Sequence, residues 1–422
     1  VRRGSTRIGL GGAARAAAAA AMLSSLAACG STVDSVGYDN AGGMVLHPIS
    51  GPATYPNPFH DLLGKSDTDI NNKIAATFAQ LFHGDASTQA IYFPVAGTNQ
   101  AYIQDILHGD IRTEGVGLGM LIAVELNKQD EFDHLWSYAK ANLEFTAGPD
   151  KGYFLSSCDT ETGAAPCTDP FGMEQFVTAL VFAHDRWGTA GASDAYSQDA
   201  LALLDVFRHK QDENGGIVDN VTNAFDDPSG LPYDVPDVTA AGNTRPSIEM
   251  PGYYELWAQA VADPFWSRAA ASARAQWQRT ADEMTGLLPV RATFNGKAIA
   301  GSDTFQPESY RAQIHMMIDR IWIGQAPWEV VEANLLLGFF SSQGIDSYGT
   351  SYSLTGSVLT AAHDPSLVAV NGMTAMIGTT ADRATYVDRV WNMATPSGVP
   401  RYYSGILDLL ALLALSGQLK VW

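Results

Sequence analysis

Arg112-Thr113-Glu114-Gly115-Val116-Gly117-Leu118-Gly119-Met120-Leu121-Ile122-Ala123-Val124-Glu125-Leu126-Asn127-Lys128 is the stretch on which the fold turns. From Glu114 onward, apolar or small residues occupy nearly every face of a 3.6-residue period, which predicts a helix buried all round. Thr113 stands where an N-cap is expected. A buried helix that opens on an acid is unusual: Glu114 either satisfies the helix dipole or faces a ligand. Gly115, Gly117 and Gly119 each cost roughly 1 kcal/mol relative to alanine in a helix, so something is expected to approach this backbone closely.

The same pattern recurs along the chain. Twelve helical segments are expected, at about 70–82, 114–127, 131–143, 173–187, 194–211, 249–261, 264–284, 308–323, 327–342, 365–377, 382–394 and 403–416, with no strong strand alternation competing. The even-numbered segments are apolar nearly all round, as in Phe176 to Ala183 and Ile406 to Leu413. Their partners are amphipathic, with Phe132, Leu135, Trp136, Ala139 and Leu143 on one stripe opposite Asp133, His134 and Lys140. Very short turns such as Gln129-Asp130-Glu131 and Asp263-Pro264 alternate with long loops, so the helices pair as antiparallel hairpins. Six hairpins with inner even and outer odd helices give an all-α fold, an (α/α)6 barrel spanning 56–422.

Every long loop after residue 55 leads into the N-terminus of an inner helix, which gathers those loops and first turns on one face of the barrel. Glu114, Glu174, Glu249, Glu308, His363 and Arg401-Tyr402-Tyr403 fall on that face, where a cleft is expected.

The chain has 422 residues and a formal net charge of −20, with 25 Lys and Arg against 45 Asp and Glu. No basic cluster is present to neutralise a phosphate backbone, which excludes nucleic acid as the expected partner. A neutral oligomer or polymer suits this charge better than a polyanion.

The first 29 residues have the composition of an export signal, with Arg2, Arg3 and Arg7 before an Ala-rich run. Leu26-Ala27-Ala28-Cys29 resembles a bacterial lipobox, so Cys29 is the expected lipidation site; an ordinary secretory signal cut nearby is the alternative. Either reading exports the protein, the first as a membrane-anchored lipoprotein of the bacterial cell envelope. Residues 30–55, rich in Gly, Ser, Asn and Pro, read as a flexible tether. Cys158 and Cys167 lie close together in a loop, and export makes a disulfide between them reasonable. No His/Cys cluster accompanies them, and neither a metal nor a cofactor is expected. A monomer is expected.

Glu114 and Glu308 lead the candidate catalytic residues. Pro307-Glu308-Ser309-Tyr310-Arg311 opens the eighth helix as Arg112-Thr113-Glu114 opens the second, so the carboxylates can face each other across the cleft. Glycoside hydrolysis uses such a pair, one acid protonating the leaving oxygen and the other carboxylate acting at the anomeric carbon directly or through water. Arg311, one turn after Glu308, is placed to pair with it and keep it ionised. A sugar is then the expected neighbour of the three glycines. Tyr153, Phe154, Phe171, Tyr253, Tyr310, Tyr402 and Tyr403 are candidate stacking platforms, and Trp136, Trp187, Trp257 and Trp322 are assigned to the core. Asp169, Glu174 and Glu249 are weaker acids on the same face, as is His363. Asp212 to Gly216 lacks the alternation of a calcium loop, and no phosphate-binding glycine loop or nucleophile elbow occurs.

Several motifs, in order, resemble glycoside hydrolase family 8 and its xylan-acting branch. They are Gly109-Asp110-Ile111-Arg112-Thr113-Glu114-Gly115, Glu131 to Trp136, Gly152-Tyr153-Phe154, Asn214-Gly215-Gly216, Pro251 to Trp257, Ser342 to Asp346, and Pro396-Ser397-Gly398 with Arg401-Tyr402-Tyr403. The resemblance runs from about Leu62 to the C-terminus and implies an (α/α)6 barrel, a cleft at the helix N-termini, and metal-free inverting hydrolysis of β-1,4 glycans. It places the general acid on Glu114 and the base on Glu308, where the family's xylan-acting branch has Asp, with Arg311 matching the Arg three residues on. Asp169, Phe171, Tyr153, Tyr310, His363, Arg401 and Tyr402 are the expected substrate contacts.

The chain departs from the family near the expected sugar. Phe171 fills a position that is Asp in the family unless Asp169 shifts in, and Arg245-Pro246-Ser247-Ile248-Glu249 replaces Asp-Pro-Ser-Tyr-His. Val116-Gly117-Leu118 replaces Met-Ser-Tyr, and the loop around His363 is altered. The expected function is an inverting hydrolase of β-1,4-linked oligosaccharides, derived from xylan; a weakly active or non-catalytic glycan-binding lipoprotein, or a β-glucanase or chitosanase of the same family, are the alternatives.

Overall fold

The computed structural model of the protein describes residues 45–156, 167–188, 194–324 and 326–422. Among them are twelve long helices: α1 Asp67–His83, α2 Thr113–Glu125, α3 Gln129–Asn142, α4 Pro170–Trp187, α5 Ala195–Glu213, α6 Pro251–Val261, α7 Pro264–Thr280, α8 Tyr310–Trp322, α9 Pro327–Gln343, α10 Pro365–Ile377, α11 Arg383–Asn392 and α12 Tyr403–Leu415. A single helical turn, Pro58–Asp61, precedes them. The even helices form a closed inner ring, each packing on the next and α12 returning to α2. The odd helices lie outside, α1 against α12, α3 against α2, α5 against α4, α7 against α6, α9 against α8 and α10, and α11 against α10 and α12. This is an (α/α)6 barrel. Its logic is that of the hydrophobic pattern: α2 and α12 are buried on every face, whereas α3 buries Phe132, Leu135, Trp136 and Ala139 and leaves its charges outside.

Close approach of neighbouring elements, an inner helix among them, explains the glycines of α2, and a sugar does not. A Cβ on Gly115 would lie 2.7 Å from the Tyr402 ring, and one on Gly117 would lie 2.6 Å from Gln175 Cβ and 3.0 Å from the Gly172 carbonyl. On Gly119 it would strike Ile103. The helix also starts differently from the expectation: Arg112, in extended conformation, is the N-cap and offers no side-chain bond, while Thr113 is buried in the first turn with its hydroxyl unpartnered. Thr113 instead packs where Gly172 leaves room for it.

Small antiparallel ribbons, too short to show alternation in the sequence, decorate the long loops. β1 Tyr92–Pro94, β2 Ala101–Asp105 and β3 Asp110–Ile111 form one sheet in that order and lead into α2. β4 Leu155–Ser156 pairs with β5 Cys167–Thr168, and β6 Asn243–Thr244 with β7 Ala292–Thr293, Asn243 opposite Thr293. β8 Thr304–Phe305, β9 Ser351–Ser353 and β10 Val358–Thr360 form a further sheet with β9 central.

Residues 45–55 differ from the expected tether. Ile49 is buried, the His47 N–H donates to the Ala260 carbonyl at 2.7 Å, and the Val421 N–H donates to the Tyr55 hydroxyl at 2.9 Å. Leu46, Ile49 and Tyr55 give this stretch an apolar side that lies on the core. The expected signal segment, with Cys29, and the Cys158 half of the expected disulfide lie outside the described residues, and of Cys167 only the backbone strand is described.

Candidate active site

Three first turns of inner helices supply the centre of the site. Glu114 is the second residue of α2, and Arg112 just before it is anchored by Asp105 at 3.3 Å and Asp110 at 3.1 Å. Glu308 sits in the one-turn 3-10 segment Pro307–Ser309, whose ends are tied by Gln306 and Ser309 and which runs directly into α8. Arg311, second in α8, lies over the Phe171 ring at 4.4 Å. Its Nη1 is 3.3 Å from Glu114 Oε1 and its Nη2 is 3.8 Å from Glu308 Oε1, so one buried guanidinium stands between the two carboxyl groups.

The nearer cation to Glu308 is a different residue from the one expected. Arg245 Nη1 donates to Glu308 Oε1 at 2.6 Å and Nη2 to Asp169 Oδ1 at 2.7 Å, and Nε lies 2.8 Å from Asp234 Oδ1. Arg291 Nε closes on the other oxygen of Asp234 at 2.9 Å. Arg245 is brought here because it immediately precedes the turn Pro246–Ile248 that opens the path into α6. Its position repeats the placement of Arg112 before α2.

These surroundings drive the two carboxyl groups apart. Burial pushes Glu114 above the ordinary carboxylate range; Arg311 and Arg112 oppose this, while Asp169 and Glu308 reinforce it. Burial also raises Glu308, but Arg245 and Arg311 together outweigh it and hold the carboxyl below its ordinary value. Two carboxyl groups pushed in opposite directions are the arrangement that separates a proton donor from a proton acceptor.

Two cavities meet at this pair, and Arg112, Glu114, Glu308 and Arg311 line both. One, of about 490 Å³, exposes mostly apolar surface, from Leu107, Val399, Pro400, Tyr402 and Tyr403, with Asp105, His108, Asp364 and Ser366 also in its wall. The other, of about 260 Å³, is walled by Asp169, Asp234, Arg245 and Arg291. The Tyr403 hydroxyl donates to the Pro307 carbonyl, fixing the start of α12 beside Glu308.

Residues 103–417 match the family described as "Glycosyl hydrolases family 8". The chain belongs to glycosyl hydrolase family 8. Within this glycosidase family it is similar to the reducing-end xylose-releasing exo-oligoxylanase Rex8A of Paenibacillus barcinonensis, at 31% identity over 87% of this chain and 97% of that protein. It is also similar to endoglucanase 2 of Ruminiclostridium josui, at 26% identity over 88% of this chain and 76% of that protein. Among solved structures, a family 8 xylobiose complex from Teredinibacter turnerae superposes with a TM-score of 0.80 at 32% identity, covering 87% of this chain and 98% of that one.

The structure brings Glu114, Glu308, Arg311, Asp169 and Tyr402 together in this family 8 cleft and leaves other expected contacts outside it; Phe171 is buried and lines neither cavity, its ring spent on the Arg311 guanidinium. Tyr153 is buried and its hydroxyl donates to the Thr222 carbonyl at 2.8 Å. Tyr310 is buried with its hydroxyl on the Thr350 carbonyl. Arg401 spends its guanidinium on the carbonyls of Ala90, Gly398 and Ala86, tying two loops. His363 is exposed, packs on the Tyr348 ring and shares Nδ1 with the Tyr348 carbonyl at 2.9 Å, while its neighbours Ala362 and Asp364 line the larger cavity. Glu174 and Glu249 are fully buried beneath the cleft, held by Tyr254 and Thr244.

Asp234 and Arg245 were not among the expected site residues. Asp234 lies in a long loop with no periodicity to read. Arg245 carried a signal, its place before an inner helix. The Nδ1 or Nε2 of His108 and carboxylate oxygens of Asp105 and Asp110 lie within 4.8 Å of one another, the spacing of a metal group, but Arg112 is already bound to both carboxylates and His108 Nδ1 is 2.7 Å from Asp105.

Proposed function

We propose that this glycosidase hydrolyses β-1,4-linked xylo-oligosaccharides with inversion, Glu114 acting as general acid and Glu308 as general base. The observation that supports the reading best is the pair of carboxyl groups with opposite pKa displacements, set on one guanidinium between two cavities. Glu308 takes a proton from water as the water oxygen bonds to the anomeric carbon; the glycosidic bond breaks and Glu114 gives its proton to the departing oxygen. Arg311 places its positive charge between the two carboxyl groups, 3.3 Å from Glu114 and 3.8 Å from Glu308. The similarity to proteins named for xylose release and solved with xylobiose supports xylo-oligosaccharide over gluco-oligosaccharide. The test is NMR of the first-formed anomer from xylotriose alongside cellotriose: an α-anomer appearing first on the xylan-derived substrate is expected, and a β-anomer would reject the mechanism.

We further propose that the protein works as an exported monomer anchored through a lipid on Cys29, a reading supported by the positive n-region and the Leu26-Ala27-Ala28-Cys29 motif. Metabolic labelling with a palmitate analogue is expected to mark the wild-type chain and not Cys29→Ala; equal labelling of both would overturn it.

A further inference from the structure

Glu308 presents a difficulty to the reaction just described. It reaches one methylene further than an aspartate, and an error of about 1 Å in the placement of a reacting group costs roughly a hundredfold in rate. Something must set its depth. Arg311, at 3.8 Å, is too distant for a hydrogen bond.

Arg245 is built for the task. Only 8% of its side chain is exposed, yet each of its three nitrogens faces a different carboxylate, Glu308 at 2.6 Å, Asp169 at 2.7 Å and Asp234 at 2.8 Å. Its Nη2 also donates to the Asp234 backbone carbonyl at 3.1 Å. A guanidinium held on two sides by anions fixed to other elements cannot follow Glu308; Glu308 must come to it. Asp169 is pinned as the N-cap of α4, accepting from the Phe171 N–H, and Asp234 is pinned by Arg291. The contact uses Oε1 of Glu308, a residue that lines both cavities.

We propose that Arg245 is a positioning residue for the base: it draws Oε1 of Glu308 back by a fixed hydrogen bond, so that Oε2 holds the attacking water, and Asp169 and Asp234 serve to hold Arg245. The inference rests on Glu308 being the base. The guanidinium fork is needed, because its two terminal nitrogens bond separate carboxylates, Glu308 and Asp169, at once, and lysine supplies charge without that geometry.

The experiment follows xylotriose hydrolysis across pH for wild type, Arg245→Met, Arg245→Lys, Glu308→Asp and the double variants, with thermal melts to confirm folding. Arg245→Met is expected to lower kcat by about 10- to 100-fold, to leave KM within about threefold, and to move the acidic limb of kcat/KM to higher pH. Arg245→Lys is expected to return the limb towards its wild-type position without restoring kcat. Glu308→Asp is expected to cost less in the Arg245→Met background than in wild type, because the anchor is already lost. An unmoved acidic limb in Arg245→Met, or additive losses in the double variant, would overturn the proposal. Should Arg245→Met fail to fold, Arg245→Lys with wild-type kcat would overturn it alone. Failure of the underlying reading looks different: Glu308→Ala would keep its activity, or lose it without rescue by azide.

Discussion

The two cavities that share Glu114 and Glu308 are made of opposite materials. On one side of the pair stand Asp169, Asp234, Arg245 and Arg291, an arrangement of interlocked charges. On the other stand Leu107, Val399, Pro400 and two tyrosines, with Leu107 68% and Val399 53% exposed. Fixed charges suit the place where bonds break and form, since preorganised groups cost no reorganisation at that moment. An apolar wall suits a ring that only has to lie flat and leave. Under the reaction proposed above, the charged cavity is the candidate place for the sugar that is attacked and the apolar cavity for the leaving portion.

The largest effect that sharpens this comparison belongs to the group at the boundary. Glu114→Gln is expected to lower kcat by about 10²- to 10⁴-fold on xylo-oligosaccharides. The loss should shrink on an aryl xyloside with an acidic phenol as leaving group, which departs without a proton. Parallel measurement of both substrates checks this; equal losses on the two would take proton donation away from Glu114.

Next in size is the pH dependence. In the proposed reaction Glu308 acts ionised and its pKa is held low, so activity is expected to be lost as pH falls through that value; Glu114 acts protonated and its pKa is raised, so activity is expected to be lost as pH rises through it. The working window lies between the two limbs. Asp169 is one of the charges that raise Glu114. Asp169→Asn is therefore expected to move the alkaline limb to lower pH, and a kcat/KM profile whose alkaline limb stays in place would separate the charged cavity from the acid.

On the apolar side the effects are smaller. Val399→Asp is expected to raise KM for xylotriose by about five- to tenfold, on the order of 1 kcal/mol of lost apolar contact, with kcat nearly unchanged. A comparable loss in kcat would mean that this wall takes part in the chemistry and the contrast between the cavities is wrong.

The barrel is legible in the sequence because burial of an inner helix leaves a mark at every position, and α2 or α12 shows no polar face to confuse the reading. Glu114, Glu308 and Arg311 are legible for a related reason, that first turns of inner helices share one end of the barrel. The end of a helix does not fix the direction of a side chain. Successive residues in a helix diverge by about 100°, so Arg311 turns into the cleft while Tyr310 beside it turns into the core. Asp234 was illegible because its place depends on a loop registered by Asn243 against Thr293, a pairing fifty residues long in sequence that two-residue strands do not announce. The chain at 45–55 misled for the opposite reason: its Gly and Pro content hid three apolar residues that are enough to lay it on the barrel.

His363 gives the smallest effect and tests the boundary of the apolar cavity. Ala362 and Asp364 line that cavity, and a reading by sequence position alone would put His363 there with them. Its ring instead packs against Tyr348 at 4.5 Å between centroids, with Nδ1 on the Tyr348 carbonyl, and His363 does not line the cavity that its neighbours line. An exposed side chain with one loop contact contributes within about 0.5 kcal/mol, and His363→Ala is expected to leave kcat and KM within about twofold. Asp364 is different, because it caps α10 through the Ser366 N–H at 2.8 Å and accepts from Ser404 at 3.1 Å, joining α10 to α12 at the cavity wall. Asp364→Ala should therefore raise KM for xylotriose and lower the melting temperature together, whereas a large KM change in His363→Ala with an unchanged melt would place the imidazole in the cleft and redraw that wall.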